Sequence, residues 1–208
     1  MNFSDLYEHT SVVEYSPNGD MMTICKSNKL IIVETVTYQT LHEWTFPDTI
    51  SQIEWSPNSS LLLVALKKCG LVYAKSVLNN DWNCRIDEST GGLSGIKWAP
   101  DSRQVITISD FQLRLTVWSL IDMSAAHIKG PKFNGDHGLA FSSNGKFMAL
   151  AERRDNKDYI GIYHCKNWTL VRHFQVDTLD LADIAWSRDN TAIIVWDSCI
   201  EVFLLRKR

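Results

Sequence analysis

The chain has 208 residues, enough for one domain with a sizeable core, and its 21 Lys and Arg stand against 24 Asp and Glu for a net charge of −3. That balance offers no basic field to nucleic acid and no acidic tail. Apolar runs such as Leu61–Leu66 fall far short of the ~20 residues of a membrane helix, and Met1-Asn2-Phe3-Ser4-Asp5 lacks the charged and apolar regions of a secretory signal.

Residues 3–8 read as a short leading strand, of the kind that joins a last sheet to close a ring. Val13-Glu14-Tyr15-Ser16-Pro17-Asn18-Gly19-Asp20-Met21-Met22 then sets a pattern. Apolar residues alternate at period 2, a polar turn follows with proline presetting φ, and a run of apolar residues comes after it. The pattern returns at Ile53–Leu62, at Ile96–Val105, at Leu139–Met148 and at Ile184–Ile193. Its aromatic anchors, Tyr15, Trp55, Trp98, Phe141 and Trp186, lie 40, 43, 43 and 45 residues apart. A repeat of roughly 40–45 residues built from short strands is the period of propeller blades. The chain is therefore expected to be all-β, a single propeller-type domain over 1–208 made of four-stranded antiparallel blades. The predicted blades span 11–46, 50–86, 94–129, 138–175 and 181–205. The fifth has no fourth strand before Arg208, which leaves a raw sheet edge. The expected ring is accordingly incomplete, part of a longer propeller.

Signatures of chemistry are sparse. Trp196-Asp197 falls at the end of a second strand, whereas the dipeptide of Trp-Asp repeats ends a third strand, so Asp197 reads as a turn residue. At the third-strand positions stand Val33-Glu34, Tyr73-Ala74, Trp118-Ser119, Tyr163-His164 and Phe203-Leu204. No two of the six histidines lie three to five residues apart, and no nucleophile elbow, phosphate loop or dinucleotide fingerprint occurs. His42, His127 and His173 fall on predicted outer strands. Five cysteines, without a Cys-x-x-Cys, read as reduced, strand-filling thiols of a cytosolic protein. No enzyme, metal or cofactor is expected. The densest polar cluster is Glu152-Arg153-Arg154-Asp155-Asn156-Lys157-Asp158, between the second and third strands of the fourth blade. It reads either as a solvated hairpin of self-neutralising charges or as an interaction loop whose arginines pair with a partner's carboxylates. Glu152, Arg153, Arg154, Asp155, Lys157 and Asp158 are its candidate contact residues.

At this loop the chain resembles a known family. Leu150–Ile160, Trp82–Glu88, Leu113–Leu120 and Ile194–Glu201 are similar, in order and spacing, to stretches of the WD-repeat proteins of centrosomes and spindle poles, among them one encoded antisense to a tumour-protein gene. The resemblance runs from the first residue to about Glu201. It implies a non-enzymatic scaffold of cytoplasm and cytoskeleton that acts with a coiled-coil partner at centrosomes, satellites or spindle poles. There such proteins support microtubule anchoring, spindle assembly and ciliogenesis. Two rival readings are a translation-associated propeller that binds RNA and ribosomes and a propeller hydrolase. Salt-dependent RNA binding would mark the first, and metal-dependent ester hydrolysis the second.

Overall fold

The computed structural model describes residues 12–135, 137–199 and 202–206. The leading strand expected at 3–8, and its pairing with the last sheet, lie outside the described residues. The chain divides into two compact units, Met1–Thr90 and Gly91–Arg208.

The first unit holds two meandering antiparallel sheets. One is built of β1 (Val12–Tyr15), β2 (Met21–Lys26), β3 (Lys29–Glu34) and β4 (Thr40–Thr45). The other is built of β5 (Gln52–Trp55), β6 (Leu61–Leu66), β7 (Leu71–Ser76) and β8 (Asn83–Asp87). The second unit holds three sheets of the same plan. They comprise β9 (Gly95–Trp98), β10 (Gln104–Ile108), β11 (Arg114–Ser119) and β12 (Ala125–Lys129); then β13 (Leu139–Phe141), β14 (Phe147–Arg154), β15 (Lys157–His164) and β16 (Thr169–Gln175). The last comprises β17 (Leu181–Trp186), β18 (Ala192–Asp197) and β19 (Val202–Arg206), three strands among the described residues.

The repeated turn explains the repeated sequence. Ser16 Oγ donates to Asn18 Oδ1 at 2.7 Å and accepts the Met21 N–H at 3.0 Å. Ser56 does the same with Asn58 and Leu61, Ser142 with Asn144 and Phe147, and Ser187 with Asp189 and Ala192. In the third sheet Ala99 takes the serine's place, and its N–H bonds Gln104 O at 3.0 Å while Asp101 accepts the Arg103 N–H at 2.9 Å. Each turn also needs one left-handed residue: Gly19, Ser59, Ser102, Gly145 and Asn190 have φ of 78°, 60°, 57°, 66° and 59°. The short polar side chains and glycines of the repeat are the residues that accept it.

Each turn delivers the chain into a second strand that is covered on both faces. Along β6, Leu62, Val64 and Leu66 enter the core shared with Leu30, Ile32 and Trp44 of the first sheet, while Leu63 and Ala65 are buried on the opposite face. Along β14, Met148 and Leu150 join the core against the third sheet, and Ala149 and Ala151 join the core against the fifth. Alternation at period 2 thus divides one strand between two cores. The aromatic anchors occupy equivalent places, each ending the first strand of its sheet. Trp55 and Trp98 are buried, Phe141 and Trp186 half-buried, and Tyr15 is 61% exposed.

Trp196-Asp197 ends β18, a second strand, and Asp197 accepts the Cys199 N–H at 3.0 Å as a turn residue does. In the second sheet the third strand ends at Lys75-Ser76, two residues past the Tyr73-Ala74 pair, and the β6–β7 pairing runs to Leu61 opposite Ser76, within the strand the sequence predicts at 71–76. Burial pushes the thiols of Cys25 and Cys165 up to about 12, aided by the charges of Glu14 and Asp101 respectively. They stay protonated and inert.

Three substitutions check this account by urea denaturation. Trp98→Ala should cost about 3–5 kcal/mol, whereas Tyr15→Ala should stay within about 0.5 kcal/mol. Ser56→Ala, which strands the Leu61 N–H, should cost about 1–2 kcal/mol.

Candidate interaction site

The charged segment 152–158 is the far end of the β14–β15 hairpin. Both strands run to eight residues, where the other second strands have five or six. The hairpin closes through Asp155 and Asn156, with φ of 49° and 59°, the left-handed pair of a two-residue turn that matches strand twist. β13 is too short to pair this extension. The linker takes over: Lys132 N–H donates to Ala151 O at 2.8 Å, Arg153 N–H donates to Gly130 O at 3.3 Å, and Pro131 lies opposite Glu152.

Strand alternation splits the cluster. Glu152 and Arg154 face the third sheet, while Arg153 and its cross-strand partner Asp158 face the fifth. The two arginines therefore diverge rather than stand side by side. Glu152 and Asp158 are buried, whereas Arg153, Arg154, Asp155, Asn156 and Lys157 are exposed. Of the six predicted contact residues, then, two carboxylates belong to the interior and four side chains to the surface.

On the fifth-sheet face, Asp158 Oδ2 accepts the Lys132 Nζ at 3.0 Å, the Leu181 N–H at 2.7 Å and the Thr178 hydroxyl at 3.2 Å. Lys132, with 5% of its side chain exposed, also donates to Asp180 Oδ1 at 2.7 Å and to Leu181 O at 2.6 Å. Arg153 donates to the same Asp180 oxygen at 2.8 Å. Hydrogen bonds from Lys132 and Arg153, and then their charges, hold the Asp180 carboxyl below the usual carboxylate range. The buried lysine is thus neutralised by one interior and one surface carboxylate, and Asp180 ties the hairpin to the entry of β17.

On the third-sheet face, Glu152 Oε1 accepts the Tyr163 hydroxyl at 2.6 Å. Its Oε2 accepts Arg154 at 2.8 Å and lies 3.2 Å from His173 Nε2. Gly161 makes the room: a Cβ there would stand 2.3 Å from Glu152 Oε1. Burial, followed by the bond to Glu152 and its charge, pushes the Tyr163 phenol well above its ordinary range, so it remains a donor.

Sequence reasoning missed Lys132, Tyr163, His173, Thr178 and Asp180 as parts of this site, for they lie 11 to 26 residues from their carboxylate partners, or as far as 48 in the Lys132–Asp180 pair. The other outer-strand histidines bind neighbouring groups too, His42 to Val77 O at 2.8 Å and His127 to Thr116 Oγ1 at 3.3 Å. Among the described residues no three His, Cys, Asp or Glu gather as a metal site would require. The arrangement is a braced hairpin whose Glu152 carboxylate is bonded through both oxygens, whose Asp158 is bonded through Oδ2 while its buried Oδ1 has Arg153 Nη1 at 4.0 Å and no hydrogen bond, and whose exposed guanidiniums have donors to spare.

The sequence matches no family model. It is 40% identical over 206 residues to the mouse WD repeat-containing protein WRAP73, across 99% of this chain and 44% of that protein. It is 22% identical over 188 residues to an uncharacterized WD repeat-containing protein of Schizosaccharomyces pombe, across 86% of this chain and 39% of the other. The chain thus spans less than half the length of either relative. Among solved structures, the fold is similar to the β-propeller domain of Myceliophteria thermophila Cps50 (Swd1), with a TM-score of 0.62 at 11% identity over 93% of this chain and 63% of that one. It is also similar to Kuenenia stuttgartiensis hydrazine synthase, with a TM-score of 0.61 at 14% identity over 93% and 59%. At such identities the likeness extends to fold alone.

Two substitutions, one of them followed by acid titration, test the bracing. Asp158→Ala leaves Lys132 buried without its interior counter-charge and should cost about 3–5 kcal/mol. The Asp180 contribution follows from its lowered carboxyl: it is full above the ordinary aspartate range and is lost as pH falls through the lower folded value. Asp180→Asn should therefore flatten the acid limb of a plot of urea midpoint against pH between about 5 and 2.

Proposed function

We propose that this chain, which belongs to the WD-repeat family, is a non-enzymatic protein-interaction scaffold of centrosomes and spindle poles. It acts there with a coiled-coil partner in microtubule anchoring, spindle assembly and ciliogenesis. The observation that carries the reading is the braced hairpin: two guanidiniums held outward on a base fixed by Asp158, Lys132 and Asp180. Rigid presentation lowers the ordering cost of binding, and Arg suits bidentate pairing with carboxylates. The cellular role rests on the resemblance of Leu150–Ile160 and the other quoted stretches to the centrosomal family. Because Arg153 and Arg154 face opposite sides, a partner helix that engages both must straddle the hairpin end.

Arg153→Gln/Arg154→Gln removes both charges and spares the buried carboxylates from facing new anions. Loss of paired arginines at an interface centre costs about 2 kcal/mol or more, roughly thirtyfold in affinity. Co-precipitated coiled-coil protein and centrosomal signal should fall accordingly, with circular dichroism unchanged. Full recovery and normal targeting would assign the hairpin a structural role alone.

A further inference from the structure

We propose that the Glu152 carboxylate couples Arg154 to the proton load of His173, so that a partner which draws Arg154 away raises the proton occupancy of the site. The coupling is a property of the chain; its link to binding rests on the reading that a partner's carboxylates engage Arg154.

The geometry is a shared acceptor. Glu152 Oε2 serves both Arg154 and His173, while Oε1 is taken by Tyr163. The Glu152 side chain is 0% exposed, so its charge has no water to fall back on. With Arg154 in place the guanidinium balances that charge, and His173 need do no more than donate its Nε2–H. With Arg154 withdrawn, the remaining donors are the neutral Tyr163 hydroxyl and the imidazole. A proton from solvent on Nδ1 then converts the ring to imidazolium and restores the balance, with Nε2–H still on Oε2. The ring is 23% exposed, which leaves it open to solvent. Histidine is the side chain that gains charge in the physiological pH range.

The other groups around the ring do not supply that charge. Tyr159 of β15 stacks on it at 4.9 Å and 4°, and Gly161 lies opposite it. Leu115, Val117 and Ile128 of the third sheet present apolar surface to this face of the fourth. Arg172, its neighbour on β16, lines the groove toward the fifth sheet together with Phe174 and Trp186. Arg154 is therefore the cation whose departure the carboxylate registers.

The full chain is titrated by nuclear magnetic resonance through the histidine ring protons, with the His173 signal identified by its loss in His173→Asn. Arg154→Gln should raise the His173 midpoint by about 1 pH unit, as expected when a competing cation leaves a shared carboxylate. Arg154→Lys, which keeps the cation, and Lys157→Gln, which removes one that does not touch Glu152, should leave it in place. An unmoved midpoint in Arg154→Gln, or an equal rise in Lys157→Gln, would overturn the coupling. A glutamate-rich helical peptide then serves as the binding probe, with calorimetry in two buffers of different ionisation enthalpy. Binding should take up about half a proton in the parent chain, at a pH midway between the parent and Arg154→Gln midpoints, as a rise of about 1 pH unit gives, and none in His173→Asn. Peptide binding without proton uptake overturns the inference. A peptide that fails to bind, beside a shifted midpoint in Arg154→Gln, upholds the coupling and counts against the acidic-partner reading instead.

Discussion

A serine hydroxyl that bridges its own turn is the contact on which four of the five sheets depend. It is worth only about 1 kcal/mol, far less than the ~1.5–3 kcal/mol of each large apolar side chain buried behind it. Its importance is geometric. By bonding the amide five residues on, Ser56 fixes where β5 ends and β6 begins. A slip of one residue would exchange the faces of Leu62, Val64 and Leu66 with those of Leu63 and Ala65, pressing a large side chain into the place of Ala65. The weak polar bond selects the register, and the apolar interior supplies the energy once that register is set. Where Ala99 replaces the serine, the backbone bonds and Asp101 hold the same reversal, so the hydroxyl is one of several devices for a single geometry.

A second strand covered on both faces binds each sheet to its neighbours within a unit. β14 shows the consequence, because its even and odd residues belong to different cores. The same alternation continues past the apolar residues into Glu152, Arg153 and Arg154, so the charged residues inherit the two-sided geometry of the strand. One face puts Glu152 beneath Tyr163 and His173, and the other puts Asp158 against Lys132 and Leu181. Buried charges of this kind contribute little net stability over an apolar packing. What they provide here is position: the hairpin is held by directional bonds on both sides, and its arginines leave the strand at defined angles.

That division also sorts the two readings of the charged segment. A solvated hairpin would leave all its charges interchangeable, whereas here the carboxylates at its base have three partners each and the residues at its tip are open to solvent. Base and tip therefore differ in kind: the carboxylates at the base are buried among bonded partners, and the side chains at the tip are exposed.

The sequence by itself determined the repeat, the strand order within each sheet, the turns and the places of the aromatic anchors. Those features are local: the turn bonds span two to five residues, and alternation can be read within a single strand. The outer strands and the position of Trp196-Asp197 were legible for the same reason. Only the tertiary structure decided that Glu152 and Asp158 are interior. Seven polar residues in a row carry no apolar signal, and the groups that make burial tolerable come from Lys132, Tyr163, His173 and the Thr178–Leu181 entry to β17. A buried carboxylate is recognised by its partners, and these partners are brought to it by sheet pairing and by the packing of neighbouring sheets, which no local pattern in the charged segment encodes.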